Sequence, residues 1–249
     1  MPATAFFRAI ALLVGGIITS STFAQSTPGK SMITTVSVGY RSVEVSGLNT
    51  PSFQAVLPMG LPELADIPSA NVHYGLSGFG QFGHWLAGFD LGGFMSQKGG
   101  SLESFASSEG DLTGLSVILY TGYNRVRHSR WAVYPLFGLG VSAHTVQYRF
   151  TPSDPNQVPA TDFTGRTLTI SNDRFIADIG AGVHRFWPWK NAGKSAIAVG
   201  LRTGYILPLV TFDQWARLAG QVVSAPDFGG GGFYVKLSVG GGIWQALAQ

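Results

Sequence analysis

An eight-stranded antiparallel transmembrane β-barrel with up-and-down topology is the all-β fold that this sequence predicts. Three observations carry that expectation. Short segments alternate strictly between bulky apolar and small or polar residues. The connections between them alternate short and long. The composition is poor in charge and sits behind an export-type N-terminus.

The cleanest alternation runs from Trp131 to His144. Its odd positions read Trp131, Val133, Pro135, Phe137, Leu139, Val141 and Ala143, and its even positions Ala132, Tyr134, Leu136, Gly138, Gly140, Ser142 and His144. A period of two gives a strand two faces in two environments. Pro135 and the closely spaced Gly138, Gly140 and Ser142 argue against reading the same stretch as a helix.

Seven further segments repeat the pattern. The first strand is expected from about Thr34 to Val45, with Val36, Val38 and Tyr40 on one face. The second runs from about Asn71 to Phe82 and the third from Trp85 to Ser96, with Trp85, Ala87, Phe89, Leu91 and Met95 outward. The fourth spans about Leu112 to Tyr123, and the fifth is the segment above, extended toward Phe150. The sixth covers about Arg174 to His184, the seventh Ala196 to Leu207 and the eighth Phe233 to Ile243. Each is about 9–12 residues, the length that a tilted membrane-spanning strand needs.

Short connections fall at Gly83-His84, Asn124 to Arg130 and Trp187 to Lys194. Long ones fall at Ser46 to Ala70, Gln97 to Asp111, Thr151 to Asp173 and Val210 to Gly232. Short turns on the periplasmic side and long loops outside are the arrangement of outer-membrane barrels. Closure removes the unpaired edges that lipid does not tolerate. Within the last long connection, Asp213 to Ala219 reads as one or two helical turns, and Ser46 to Ala70 has room for an extra hairpin.

The chain has 249 residues, of which 12% are charged, 45% are hydrophobic and 34 are glycine. That charge content is about half the usual share, too little to coat a soluble domain. The net charge of +3 is scattered, with no basic stripe to suggest nucleic acid. Zero cysteines exclude disulfides, thiolate metal sites and a Cys nucleophile. At the N-terminus, Arg8, the apolar run Ala9 to Ile18 and Thr22-Phe23-Ala24 form a signal peptide over residues 1–24, with cleavage before Gln25. Residues 25–249 are then one barrel domain. Trp85, Tyr123, Trp131, Trp187 and Trp189 flank the short turns, as a periplasmic aromatic girdle at the membrane–water boundary requires.

With its glycine-rich alternating strands, such as Phe175-Ile-Ala-Asp-Ile-Gly-Ala-Gly-Val183 and the last strand Phe233 to Trp244, the chain resembles the small outer-membrane barrels of the OmpA, OmpX, OmpW and opacity-protein type. The resemblance covers nearly all of residues 25–249. It implies a bacterial outer-membrane location, outer-membrane lipid and the barrel-assembly machinery as partners, and a structural or surface-interaction role for external loops. Members of that group usually end on an aromatic residue. Here Trp244 is followed by Gln245 to Gln249.

The charges within strands share the inward parity: Asp90, Asp178, Arg202, Lys236 and Arg41. Turned to mid-bilayer lipid, an Arg or Lys costs about 2–4 kcal/mol. Turned inward, it needs a partner. A turn centred on Lys190 puts Asp178 opposite Arg202, so those two are expected to pair, with Asp90, Arg41 and Lys236 in the same network. An eight-stranded lumen is just wide enough to be filled by side chains, which favours an internal plug over a selectivity ring.

Motifs for other chemistry fail on context. Gly78-Phe-Gly-Gln-Phe-Gly83 matches a dinucleotide fingerprint but leads into a strand, not a helix. The phosphate-loop spacing before Gly193-Lys194-Ser195 and Gly29-Lys30-Ser31 falls on Pro188 and Ala24. There is no G-x-S-x-G and no H-E-x-x-H, so no cofactor or metal site is expected. A barrel-borne lipid acyl hydrolase would want His and Ser two residues apart on one face. Only Ser142-x-His144 comes near, in reverse order and facing inward. The expected function is non-enzymatic: a surface barrel with a filled lumen, an external ligand left open. A narrow pore for small, apolar solutes and a lipid-modifying enzyme are the alternatives, and a soluble lipocalin-like barrel would need the opposite polarity of faces.

Overall fold

The computed structural model describes residues 30–43, 70–96, 99–102, 106–126, 130–152, 167–188, 195–218, 221–223 and 229–243. These form β1 (Lys30–Ser42), β2 (Ala70–Phe82), β3 (Trp85–Ser96), β4 (Gly99–Leu102), β5 (Ala106–Tyr123), β6 (Trp131–Pro152), β7 (Thr167–Pro188), β8 (Ser195–Leu218), β9 (Gln221–Val223) and β10 (Gly232–Ile243). Eight of them close into a ring in the order β10-β1-β2-β3-β5-β6-β7-β8, with β8 pairing back onto β10. Every pairing in the ring is antiparallel. The expected eight-stranded up-and-down barrel is the fold observed, with β4 and β9 as short additions.

The seam shows how the two faces are sorted. Val38 pairs with Leu237, and Leu237 with Leu201. All three point outward, at 58%, 59% and 41% exposure, and with Leu76, Leu119, Leu139 and Ile179 they continue an apolar belt around the barrel. Exposed aliphatic surface on this scale has no place in water. It is the lipid-facing band of a membrane barrel. Inward positions carry the buried residues, polar and apolar alike.

At the short-connection end, β2 and β3 are joined by Gly83-His84, where Gly83 has φ 62°. That left-handed value suits glycine in a two-residue hairpin turn. Asn124 closes the next connection: its side-chain oxygen accepts the N–H groups of Val126 and Val133, both at 3.1 Å.

At the opposite end, the four consecutive strands β5 to β8 are 18, 22, 22 and 24 residues long, against 12 or 13 for β1, β2, β3 and β10. They rise beyond the belt as a continuous sheet, in which Leu112, Val146, Ile170 and Ala216 are successive cross-strand partners and are buried, as are Tyr148 and Leu168. This corrects several expected boundaries. Thr211 to Leu218 is strand, not loop or helical turns. Thr167 to Asp173 is strand rather than connection, and so are Gly99 to Leu102 and Ala106 to Asp111. The first strand starts at Lys30 and ends at Ser42. Between Asp173 and Ile176 the β7–β8 register shifts twice. Pro208, opposite Ile176, lacks the N–H that a regular ladder needs. The signal peptide at 1–24, residues 46–69 of the stretch with room for an extra hairpin, Trp189 and Trp244 lie outside the described residues, and Ala70 begins β2.

Candidate functional site

The lumen holds a three-layer plug. Nearest the short connections, His184 lies against aromatic rings. It stacks on Tyr134 with centroids 5.8 Å apart and meets Phe79 at 5.0 Å. Its Nδ1 lies 3.2 Å from Tyr134 Oη, and its Nε2 lies 3.3 Å from Ser238 Oγ. Glycines make room for these rings. A Cβ on Gly182 would lie 2.6 Å from Tyr134 Cζ, and one on Gly204 would lie 2.7 Å from Tyr234 Oη. The small inward residues are therefore the spaces into which lumen aromatics pack.

The middle layer is ionic. Arg202 on β8 donates to Asp90 on β3 at 2.8 Å, to Asp178 on β7 and, through Nε, to Tyr234 Oη on β10 at 3.1 Å. Tyr234 in turn donates to Asp178 at 2.9 Å. Lys236 donates to Asp90, which also accepts from Ser77 Oγ at 3.4 Å. Arg202 and Lys236 are directly opposite each other across the β8–β10 ladder, a destabilising like-charge pair taken alone. Asp90 reaches from across the lumen and bridges both. Tyr120 closes one side, 4.2 Å from the Arg202 guanidinium carbon to its ring centroid. These two carboxylates and two cations balance, and all four are nine-tenths or more buried. Such a set is tolerated because each charge has a partner and further hydrogen bonds.

The upper layer faces the long connections. Arg41 lies over the Phe94 ring at 4.6 Å and donates to the Gly230 carbonyl at 3.4 Å. Arg174 donates to the neighbouring Gly229 carbonyl. Gly230 has φ 85° and is buried, and a Cβ there would sit 2.9 Å from His144. Gly229 and Gly230, just ahead of β10, are thus held over this layer by two arginines. Between the upper and middle layers remains a small space of mixed lining, where Arg41, His73, Asp90 and Lys236 meet Ile118 and Ile206, with room for about one water-sized particle.

Of the five charged residues singled out in the sequence, the structure brings Asp90, Asp178, Arg202 and Lys236 into one network and places Arg41 in the layer above. The register that suggested the Asp178–Arg202 contact needs correction. Arg202 is opposite Gly182 and Asp178 opposite Ile206. The contact forms diagonally, by the reach of the arginine. Tyr234, which bridges both residues, carries no charge and was not singled out. Its signal in the sequence is a tyrosine of inward parity within an apolar strand.

Around the outside, Trp85 and Tyr123 are cross-strand partners with rings edge-to-face at 5.3 Å. Trp131 and Trp187 flank Arg185 on the lipid-facing side. These four aromatic residues are exposed at the short-connection end. Ser142 and His144 open into the lumen and are buried, away from the lipid boundary where an acyl chain would lie. Among the described residues no group of three or more His, Cys, Asp or Glu is placed to hold a metal.

Closure of the ladder and the apolar belt decide the class. The chain is a small eight-stranded membrane β-barrel. No family model and no curated protein matches it. Among solved structures it is similar to Ail, the attachment invasion locus protein of Yersinia pestis, at 14% identity over 87% of this chain and 99% of that one, with a TM-score of 0.37. Ail in complex with the heparin analogue sucrose octasulfate aligns at 12% identity over 86% and 97%, with a TM-score of 0.37. A major outer membrane protein from Thermus thermophilus aligns at 12% identity over 86% and 98%, with a TM-score of 0.38.

Proposed function

We propose that this protein is an integral outer-membrane surface barrel with a closed lumen, and that its work is done by the sheet and connections beyond the outer boundary. The observation that carries this reading is the plug. Three layers of side chains cross the lumen, and the central one is a neutral ion network with every charge engaged. The extension of β5 to β8 beyond the belt supports a role outside the membrane. It presents a continuous hydrogen-bonded sheet to the surroundings, as a platform for an external ligand or surface partner. In this reading the chain is exported with cleavage of residues 1–24, inserted by the barrel-assembly machinery and held by outer-membrane lipid, and it is not an enzyme.

Planar-bilayer conductance of the refolded protein tests the closed lumen. Folding is verified first by heat-dependent gel mobility. Wild type is expected to be silent, with openings only after Arg202→Ala or Lys236→Ala loosens the ionic layer. Steady conductance in wild type would replace this reading with that of a narrow pore.

A further inference from the structure

The two ends of the barrel differ in charge. Residues 112–153 and 179–212, which pass through two of the short connections, contain no Asp or Glu. At that end Arg125, Arg130 and Arg185 are exposed, and the sequence of the same connections adds Arg127, Lys190 and Lys194. Backbone hydrogen bonds place Arg125 and Arg130 beside the β6 and β7 ends that carry Trp131 and Arg185. The Arg125 N–H donates to the Val133 carbonyl and the Arg130 carbonyl accepts from the Phe186 N–H, both at 2.9 Å. Phe186 follows Arg185 directly.

Arg185 is the organised member of this group. It pairs with Trp131 across the β6–β7 ladder. Its guanidinium carbon lies 5.2 Å from the Trp131 ring centroid and 4.9 Å from that of Trp187. All three side chains stand on the outward face, at the strand ends where indoles mark the membrane–water boundary. The rings stabilise the cation by their faces and leave its N–H fork open. Among the described residues, no acceptor takes those donors. A planar guanidinium held at headgroup depth with unused paired donors matches a phosphate diester.

We propose that Arg185, clamped between Trp131 and Trp187 and flanked by Arg125 and Arg130, binds the phosphate of an anionic phospholipid in the leaflet next to the short connections. The proposal rests on the membrane-barrel reading and adds a lipid class and a site to it. Each basic residue near an anionic leaflet adds to the attraction, so the cluster should favour an anionic over a zwitterionic lipid by at least about fivefold.

The test uses the protein refolded into phosphatidylcholine vesicles that carry either brominated phosphatidylglycerol or brominated phosphatidylcholine. Quenching of tryptophan fluorescence reports the relative association of the two lipids. Wild type should prefer phosphatidylglycerol by that factor, and the preference should fall to near one in R125Q/R130Q/R185Q. R185Q alone changes one exposed side chain, is expected to keep its heat-dependent gel shift, and should lose most of the preference. Equal quenching by both lipids in wild type, or a preference unchanged in either variant, would overturn the proposal. Quenching by neither lipid would overturn the membrane placement itself.

Discussion

Substituting Arg202 by Met and Asp178 by Asn, singly and together, tests the ionic layer as a unit. Arg202→Met keeps much of the side-chain volume but strips Asp90 and Asp178 of their shared cation. Asp178 is then left with Tyr234, and Asp90 with Lys236 and Ser77. Removing one partner of a buried pair costs about 3–5 kcal/mol. Asp178→Asn is milder, at about 2–3 kcal/mol, because Arg202 retains Asp90. The double variant restores the charge balance of the layer and removes the interaction only once. Its cost should fall short of the sum by about 1–3 kcal/mol, the range for residues in one network. Equilibrium unfolding in urea from phospholipid vesicles, followed by tryptophan fluorescence, gives the three values. Additivity to within about 0.5 kcal/mol would refute the argument that these residues stabilise the barrel together.

Two further outcomes follow from the faces of β7 and β8. Leu201 lies on the lipid face four residues from Ile197 at the belt's lower edge. At about 2.5 Å of height per tilted residue, that is close to mid-membrane, so Leu201→Arg should cost about 2–4 kcal/mol and reduce the heat-resistant folded band on gels. Above the belt, Asp173 is directly opposite Asp213. Partial burial and the Asp213 charge push its carboxyl above the usual carboxylate range. The folded state therefore holds a proton that the unfolded state has already lost, and stability declines as pH rises through that window. Asp173→Asn should slow amide exchange in the β7–β8 extension at neutral pH, with no effect at acid pH below both ionisations.

The membrane-spanning parts of the strands were legible in the sequence for a physical reason. Lipid on one side and a packed lumen on the other force alternation, and residues such as Phe137, Leu139 and Ile179 record it. Above the membrane the rule weakens. Asp213-Gln-Trp-Ala-Arg-Leu reads like a helical turn because neither face meets lipid, yet it pairs with β7 as strand. The inward charges were visible from parity alone, since an unpaired ion in lipid is so costly. Their exact partners were not, because register depends on where the turn closes. Arg202 meets Asp178 through a diagonal reach that symmetric counting about Lys190 does not describe. Tyr234 escaped notice because a search for charges passes over a neutral phenol. Arg185 escaped because its meaning appears only when Trp131 and Trp187 are seen on either side.

The central claim is that odd-numbered residues of β8 between Ile197 and Leu207 face lipid while even-numbered ones face a closed lumen. The chain has no cysteine, so single cysteines placed one at a time at the odd positions and at the even positions Ala198 and Ile206, which leave the ionic layer and the packed glycines intact, can each carry a nitroxide label. Accessibility to oxygen, which concentrates in hydrocarbon, against a water-soluble nickel chelate should then be measured by electron paramagnetic resonance in vesicles. The account requires oxygen accessibility to peak at every odd position, with the two even positions shielded from both reagents. A uniform profile, a period other than two, or either even position open to the nickel chelate would contradict it.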